Sequence, residues 1–240
     1  MPYYGRNRDI FRYNWQRDAL SRRWPGARAA AAGGLFCPSG GMVCPYSLVI
    51  ALCENAALNG VAFFLDSCVS RVSRAGGRWC VETGDGRRFE SRVVVNCAGT
   101  HADALNNMVS PDIFQIIPRF GAHLVLDREY GRWVDTTVTQ TPTALPTGGH
   151  TKGMGIMPSV DGTVILGCDA RDGFDPDDVA TTQGSIERIV AYFKDFWRYL
   201  PISAAYPDFP VEGVISAYGG LRPHTDRNDF IVGEAAEMGR

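Results

Sequence analysis

The fold of this chain is decided by residues 92–107, which run RVVVNCAGTHADALNN. A short apolar run ends in small residues and a helix-forming segment follows. This pattern predicts a buried strand that turns sharply over Gly99 into a helix. A turn with so few side chains lets another molecule approach the backbone closely. In doubly wound α/β folds that molecule is usually a nucleotide at the carboxyl end of the strand, so the segment is a candidate wall of a nucleotide site.

The composition is that of a globular protein with a substantial core, since 45% of the 240 residues are hydrophobic and 11% are aromatic. The formal net charge of −2 gives no reason to expect a nucleic-acid partner. No run approaches the ~20 apolar residues of a membrane span, so we expect no transmembrane segment.

The seven cysteines include no CxxC pair. We interpret them as buried free thiols in a reducing compartment and predict no metal site, with a metal cluster or a disulfide framework as alternatives. An intracellular, cytoplasmic location follows from this interpretation. Residues 1–28 hold seven arginines and two aspartates and are predicted to be a disordered leader. Mitochondrial targeting is the alternative, although the acidic residues argue against it.

Residues 29–110 are typical of part of an α/β domain. A helix should begin at Pro45, whose missing N–H is not needed in a first turn, and should end at Asn59-Gly60. A strand is expected at 61–65, and a β-meander over 69–91 leads into the strand of the opening segment.

Residues 111–214 instead predict an antiparallel sheet, because apolar runs alternate with turn signals. Thr182 can cap a long helix whose apolar residues recur at helical spacing. A last strand is expected at 211–218, ending in a turn at 219–223, and residues 215–240 return to the first domain. The earlier apolar runs with the length or alternation of strands are residues 113–117, 122–126, 134–140, 153–158 and 163–167.

Short segments from about residue 33 to the end of the chain resemble the FAD-dependent oxidoreductases of the D-amino-acid-oxidase superfamily, in the family's order and spacing. The resemblance is greatest to the branch of glycerol-3-phosphate dehydrogenase and L-2-hydroxyglutarate oxidase. The segments are residues 38–46, 54–56, 59–61, 94–99, 118–121, 152–154, 219–223 and 229–234.

The resemblance implies an α/β fold (α+β in part). An incomplete Rossmann-like FAD-binding domain would comprise residues 29–110 and 215–240. An antiparallel-sheet substrate domain with a long helix, residues 111–214, would cover the flavin. The implied activity is oxidation of a small anionic substrate, such as glycerol 3-phosphate or L-2-hydroxyglutarate, by hydride transfer to FAD.

The resemblance also implies roles for individual residues. Val69 lies on the strand that presents backbone groups to the adenine, and Ala98, Gly99 and Thr100 form the turn against the FAD. Arg222 would be brought by its Gly-Leu-Arg-Pro turn toward the anionic group of the substrate.

The chemistry of Arg222 suits that role, because a guanidinium can hold a carboxylate or phosphate through two parallel hydrogen bonds. The alternative is that Arg222 forms a salt bridge with a nearby aspartate such as Asp226. The imidazoles of His101 and His224 could serve as bases, but neither lies at a motif position that the family uses in catalysis, and we interpret both as solvated or structural histidines. Arg119 is equally open, and the catalytic base and the electron acceptor stay unassigned.

One part of the family pattern is missing from this sequence. Relatives begin with a strand, a GxGxxG turn and a helix that bind the FAD pyrophosphate, and no such loop occurs here. We therefore expect the central fragment of a longer enzyme, and a 240-residue chain that binds FAD weakly or not at all. The alternatives are an inactive remnant that keeps only a binding surface, and an amine or amino-acid oxidase of the same fold.

Overall fold

The computed structural model describes residues 13–16, 33–139, 143–144, 150–151, 154–173 and 175–235. The chain divides into two compact units, each assembled from separated stretches. The first comprises Met1–Val49, Ala122–Asp169 and Thr181–Tyr218, and the second comprises Ile50–Gly121, Ala170–Ala180 and Gly219–Arg240.

Three helices and thirteen strands are found in the described residues. The helices are α1 (Pro45–Leu58), α2 (Ala102–Asn106) and α3 (Gln183–Phe196). The strands are β1 (Tyr13–Gln16), β2 (Gly33–Phe36), β3 (Val69–Ala75), β4 (Arg78–Thr83), β5 (Arg88–Ser91), β6 (Ile116–Leu126), β7 (Val138–Thr139), β8 (Thr143–Ala144), β9 (His150–Thr151), β10 (Gly155–Pro158), β11 (Val164–Gly167), β12 (Arg171–Asp172) and β13 (Val214–Thr225).

The predicted antiparallel sheet is present. Its strands follow the order β12–β6–β11–β10–β7, and β13 pairs with β6. The two strands predicted at 113–117 and 122–126 are one long strand, β6. This strand buries alternate residues, including Phe120, Leu124 and Leu126, each with no exposed surface, as expected for a strand with one face on the core.

Helix α3 begins and packs as its sequence predicts. The hydroxyl of Thr182 accepts a hydrogen bond from the Ser185 N–H (3.3 Å), which satisfies one of the free donors of the first turn. Ile189, Phe193 and Trp197 are fully or almost fully buried on one side of the helix and the turn that follows it. This stripe anchors the helix in the core of the first unit.

The second unit contains the predicted β-meander, β3–β4–β5, with antiparallel pairing throughout. Helix α1 spans both units and has the predicted bounds. It is followed by Gly60, whose φ of +85° is the left-handed conformation that commonly closes a helix.

Four kinds of prediction from the sequence differ from the structure. Residues 61–65 and 92–97 are not paired strands, because no neighbouring strand lies beside them in the described part of the chain. Residues 219–223 form no turn but continue β13. In the segment predicted as a disordered leader, residues 13–16 form β1, which pairs with β2, and the other leader residues lie outside the described ones.

The fourth difference concerns the thiols. None of the seven cysteines forms a disulfide, and only Cys80 is buried, while Cys53, Cys68 and Cys97 are exposed. Apolar neighbours in sequence bury a thiol only where their segment is covered, and these exposed cysteines lie in or beside segments with exposed apolar side chains. Among the described residues, no helix combines the length and the apolar character needed to cross a bilayer.

Candidate functional site

Hydrogen bonds from neighbouring residues fix the turn over Gly99, and the space beside the Cα of Gly99 is open. Asn96 braces it, since its side-chain oxygen accepts from the Ala98 N–H (3.2 Å) and its amide donates to the Ala102 carbonyl (2.7 Å). Gly99 has a φ of +60°, which disfavours any residue with a Cβ, and a Cβ built there would have no atom within 4 Å. The backbone therefore faces open space at the point where the sequence predicts a cofactor.

A second brace comes from the loop at residues 175–178. The Thr100 hydroxyl donates to the Pro176 carbonyl (3.1 Å), and His101 Nε2 lies 2.9 Å from an Asp177 carboxylate oxygen. Both partners belong to the same unit as the turn. His101 is thus engaged in holding the turn, which agrees with its interpretation as a structural histidine.

Val69 lies at the start of β3, half-buried and paired with Thr83, just before an irregularity in the strand register. A cleft of about 740 Å³ runs beside the rest of this strand, lined by the β3–β4 hairpin together with Met108 and Val109. Val69 and residues 98–100 share the second unit. Within the described residues, no hydrogen bond joins Val69 to the turn, so a shared adenine-to-flavin site stays a prediction.

Arg222 lies on β13, exposed, in a cluster of charged side chains on the second unit. Arg119 on β6 grips Asp172 on β12 through two hydrogen bonds, Nε to Oδ1 (2.5 Å) and Nη2 to Oδ2 (2.9 Å). These bonds hold the pKa of the Asp172 carboxyl below its ordinary value, and the nearby charges of His224 and Arg222 lower that pKa further. The same pair raises the pKa of Arg119.

The strand register explains why these side chains meet. Asp172 is directly opposite Arg119 in the β12–β6 ladder. The Asp226 N–H donates to the Gln115 carbonyl (2.9 Å) just beyond the ends of β13 and β6. Because the two strands of an antiparallel pair run in opposite directions, counting four residues back from Asp226 and four residues on from Gln115 places Arg222 opposite Arg119. Directly opposite residues have their side chains on the same face of the sheet.

Sequence reasoning left Arg119 open and missed Asp172 altogether. No local signal marks the pair, because its members are 53 residues apart. In the first unit it also missed the stack of His123 on Tyr218, with ring centroids 5.2 Å apart and an interplanar angle of 17°. Burial raises the pKa of the Tyr218 phenol, and Tyr46 and Cys168 nearby add to the effect.

No group of three or more histidine, cysteine, aspartate or glutamate side chains is placed to hold a metal ion in the described part of the chain. The turn at 98–100 offers backbone groups and open space rather than ligating side chains, and its contact with FAD stays a prediction.

Comparison with known proteins identifies the family of this chain. The family model described as FAD dependent oxidoreductase (DAO) matches residues 4–239. Glycerol 3-phosphate dehydrogenase of Caloramator mitchellensis is 35% identical over 205 residues, which cover 85% of this chain and 40% of that protein. L-2-hydroxyglutarate dehydrogenase of Salmonella houtenae is 27% identical over 186 residues, covering 70% of this chain and 43% of that protein.

The fold agrees with a solved structure of L-alpha-glycerophosphate oxidase from Mycoplasma pneumoniae, which has FAD bound. The TM-score is 0.70 at 19% identity, and the match covers 94% of this chain and 56% of that one. This chain spans less than half the length of the two curated relatives. The family match extends over nearly all of its residues, and the chain belongs to the family of FAD dependent oxidoreductases.

Proposed function

We propose that this chain contributes the flavin-facing wall and the anion-binding strand of an FAD-dependent dehydrogenase or oxidase. Its substrate would be a small anion with a CH–OH group, such as glycerol 3-phosphate or L-2-hydroxyglutarate. The observation that carries the proposal is the basic cluster on the second unit, where Arg119 is hydrogen-bonded to Asp172 and where Arg222 and His224 lie near that carboxylate. The names of the two curated relatives favour a CH–OH donor.

FAD, when bound, supplies the acceptor for a hydride from the substrate carbon. The contribution of the chain is to hold and orient. The braced backbone of Ala98, Gly99 and Thr100 would lie against the cofactor, since Gly99 has neither a side chain nor a neighbour to block the approach. The backbone of Val69 would contact the adenine end.

Arg222 would hold the anionic group of the substrate. Counted over Arg119, Asp172, Arg222 and His224 alone, two guanidiniums against one carboxylate leave a net charge of +1 with His224 neutral and +2 with it protonated. A fixed anion leaves the substrate carbon in one orientation, and correct orientation supplies a large part of the rate enhancement in transfer reactions. The electron acceptor and the catalytic base are not assigned, and an intracellular location stays a prediction.

Two measurements on the 240-residue chain test this function. Calorimetric titration with glycerol 3-phosphate and with L-2-hydroxyglutarate, with and without added FAD, should show saturable binding of at least one of them. Arg222→Ala should weaken that binding by about tenfold or more, the loss expected for a charged bidentate contact. Binding of neither anion under any of these conditions would overturn the proposal.

The second measurement separates an active enzyme from an inactive remnant. Because this chain is expected to bind FAD weakly, FAD is added in large excess. Under anaerobic conditions the anion should then bleach the visible absorbance of the flavin as the flavin is reduced. Anion binding without bleaching would favour the remnant that only binds. Bleaching by glycine or other amino acids, but not by either hydroxy compound, would favour an amine or amino-acid oxidase.

A further inference from the structure

We propose that Asp172 is a positioning residue of the anion site, and that it orders Arg119 and Arg222 for an incoming substrate anion. The inference rests on the proposed function, because the anion is the substrate group assigned to Arg222. It adds a residue that touches neither substrate nor cofactor but sets the geometry of the groups that do.

The first step is the fixed pose of Arg119. Both oxygens of Asp172 accept hydrogen bonds from one guanidinium, at 2.5 and 2.9 Å, and the Arg119 side chain is only 21% exposed. A planar fork gripped at two points has one orientation. Its remaining N–H donors then have a defined direction along the sheet face.

The second step is the neighbourhood that this pose creates. Arg222 lies opposite Arg119 on the adjacent strand, and His224 is two residues further along the same face of β13. Two guanidiniums at this spacing repel one another when no anion lies between them, and His224 adds to the repulsion when it is protonated. The Asp172 carboxylate lowers that repulsion, and its depressed pKa shows that it stays ionised beside them.

The third step is the consequence for binding. A long basic side chain that must be ordered by its ligand loses rotamer freedom on binding, and that loss weakens the binding. Side chains that the protein has already ordered lose less, so the site binds its anion more tightly. Asp172 therefore strengthens anion binding even though its own charge opposes the anion.

A role through charge alone and a positioning role for Asp172 predict opposite changes in anion affinity, and this difference gives a test. Asp172→Asn keeps the size of the side chain and removes its negative charge. If Asp172 acted only through its charge, the variant would bind glycerol 3-phosphate more tightly, by a few-fold at the screened distances of a protein surface. A positioning role predicts weaker binding, by about five- to tenfold.

The chain offers a matched control. Arg227 and Asp112 form another exposed bidentate pair in the same unit, with Nη2 to Oδ1 at 2.6 Å. Asp112→Asn removes the same kind of ion pair outside the cluster and should leave the affinity unchanged. Asp172→Glu keeps the charge and should restore part of the affinity that Asp172→Asn loses.

A second readout does not depend on the substrate. The Nε–H signal of Arg119 in ¹⁵N NMR spectra should be protected from exchange in the wild-type chain, and the signals of both Arg119 and Arg222 should broaden or shift in Asp172→Asn. Unchanged arginine signals, or binding as tight as or tighter than wild type in Asp172→Asn, would overturn the inference and leave the proposed function intact. Absence of anion binding in the wild type would count against the proposed function, and the NMR signals would still decide whether Asp172 orders the arginines.

Discussion

The two adjacent glycines of β13 differ in the space around them, and Gly219→Ala tests the more crowded position. A Cβ built at Gly219 would overlap the ring of Phe120, lying 2.8 Å from Cε2, 3.2 Å from Cε1 and closer still to Cζ. Phe120 has no exposed surface, so its ring has no free space into which to move. One methyl group at this position must therefore displace either the strand or the ring.

The cost can be bounded from overpacking in other cores, where an extra methyl group destabilises by about 1–3 kcal/mol. The contacts at Gly219 are with a fully buried ring, so we expect the upper half of that range, about 2–3 kcal/mol. In a domain of this size, that corresponds to a midpoint lowered by about 4–12 °C. Gly220→Ala is the control, because a Cβ there would have no atom within 4 Å. Its expected change is within about 0.5 kcal/mol, or a small gain from a stiffer unfolded chain.

Urea unfolding followed by circular dichroism and by tryptophan fluorescence measures both variants. The two probes together show whether the units unfold in one transition. The clash can also be relieved: in a Phe120→Leu background, Gly219→Ala should cost clearly less than in the wild type, since the two residues are in contact. Equal stability of the Gly219→Ala and Gly220→Ala variants, or an unchanged cost in the Phe120→Leu background, would refute the packing argument.

Two further predictions concern a helix cap and an ion pair. Thr182→Ala removes the acceptor for the Ser185 N–H and should lower the free energy of unfolding by about 1 kcal/mol, whereas Thr181→Ala should change it by less than about 0.5 kcal/mol in the same denaturant titration. The hydrogen bonds from Arg119 depress the pKa of Asp172, so the pair stabilises the fold above the ordinary aspartate value of 3.8 and loses its effect as pH falls through the lower folded value. The stability difference between wild type and Asp172→Asn should therefore shrink on acidification, and a difference that grew in acid would contradict the assignment.

Local signals in the sequence were enough to predict much of this fold. The bounds of α1 follow from a proline suited to a first turn and a left-handed glycine after the last. The cap of α3 and its buried stripe follow from a threonine and a helical spacing of apolar residues. Each of these features is decided by residues within a few positions of one another, so a local sequence pattern is enough to predict it.

The charged cluster could not be predicted in that way. Arg119 and Asp172 meet only because β12 pairs with β6 in one register, and a shift by one residue would move them to opposite faces. The motif at 219–223 was misjudged for a related reason. Two consecutive glycines are typical of a turn, but here Gly219 is required by the ring of Phe120 on another strand, and the sequence alone does not distinguish a tight turn from a close approach.

In the segment that identified the fold, residues 92–97 show that a high strand propensity does not by itself form a strand. Val93 and Val95 are 71% and 77% exposed, although a valine-rich run of this kind is typical of strands covered on both faces. A strand is stabilised by its neighbours, and the described residues provide none here, so the run forms no ladder. The turn beyond it does not depend on that ladder. The side chain of Asn96 is hydrogen-bonded to residues on both sides of Gly99, and the Thr100 hydroxyl donates to the loop at 175–178. The open backbone at Gly99 is therefore shaped by contacts within the second unit, whether or not residues 92–97 are paired.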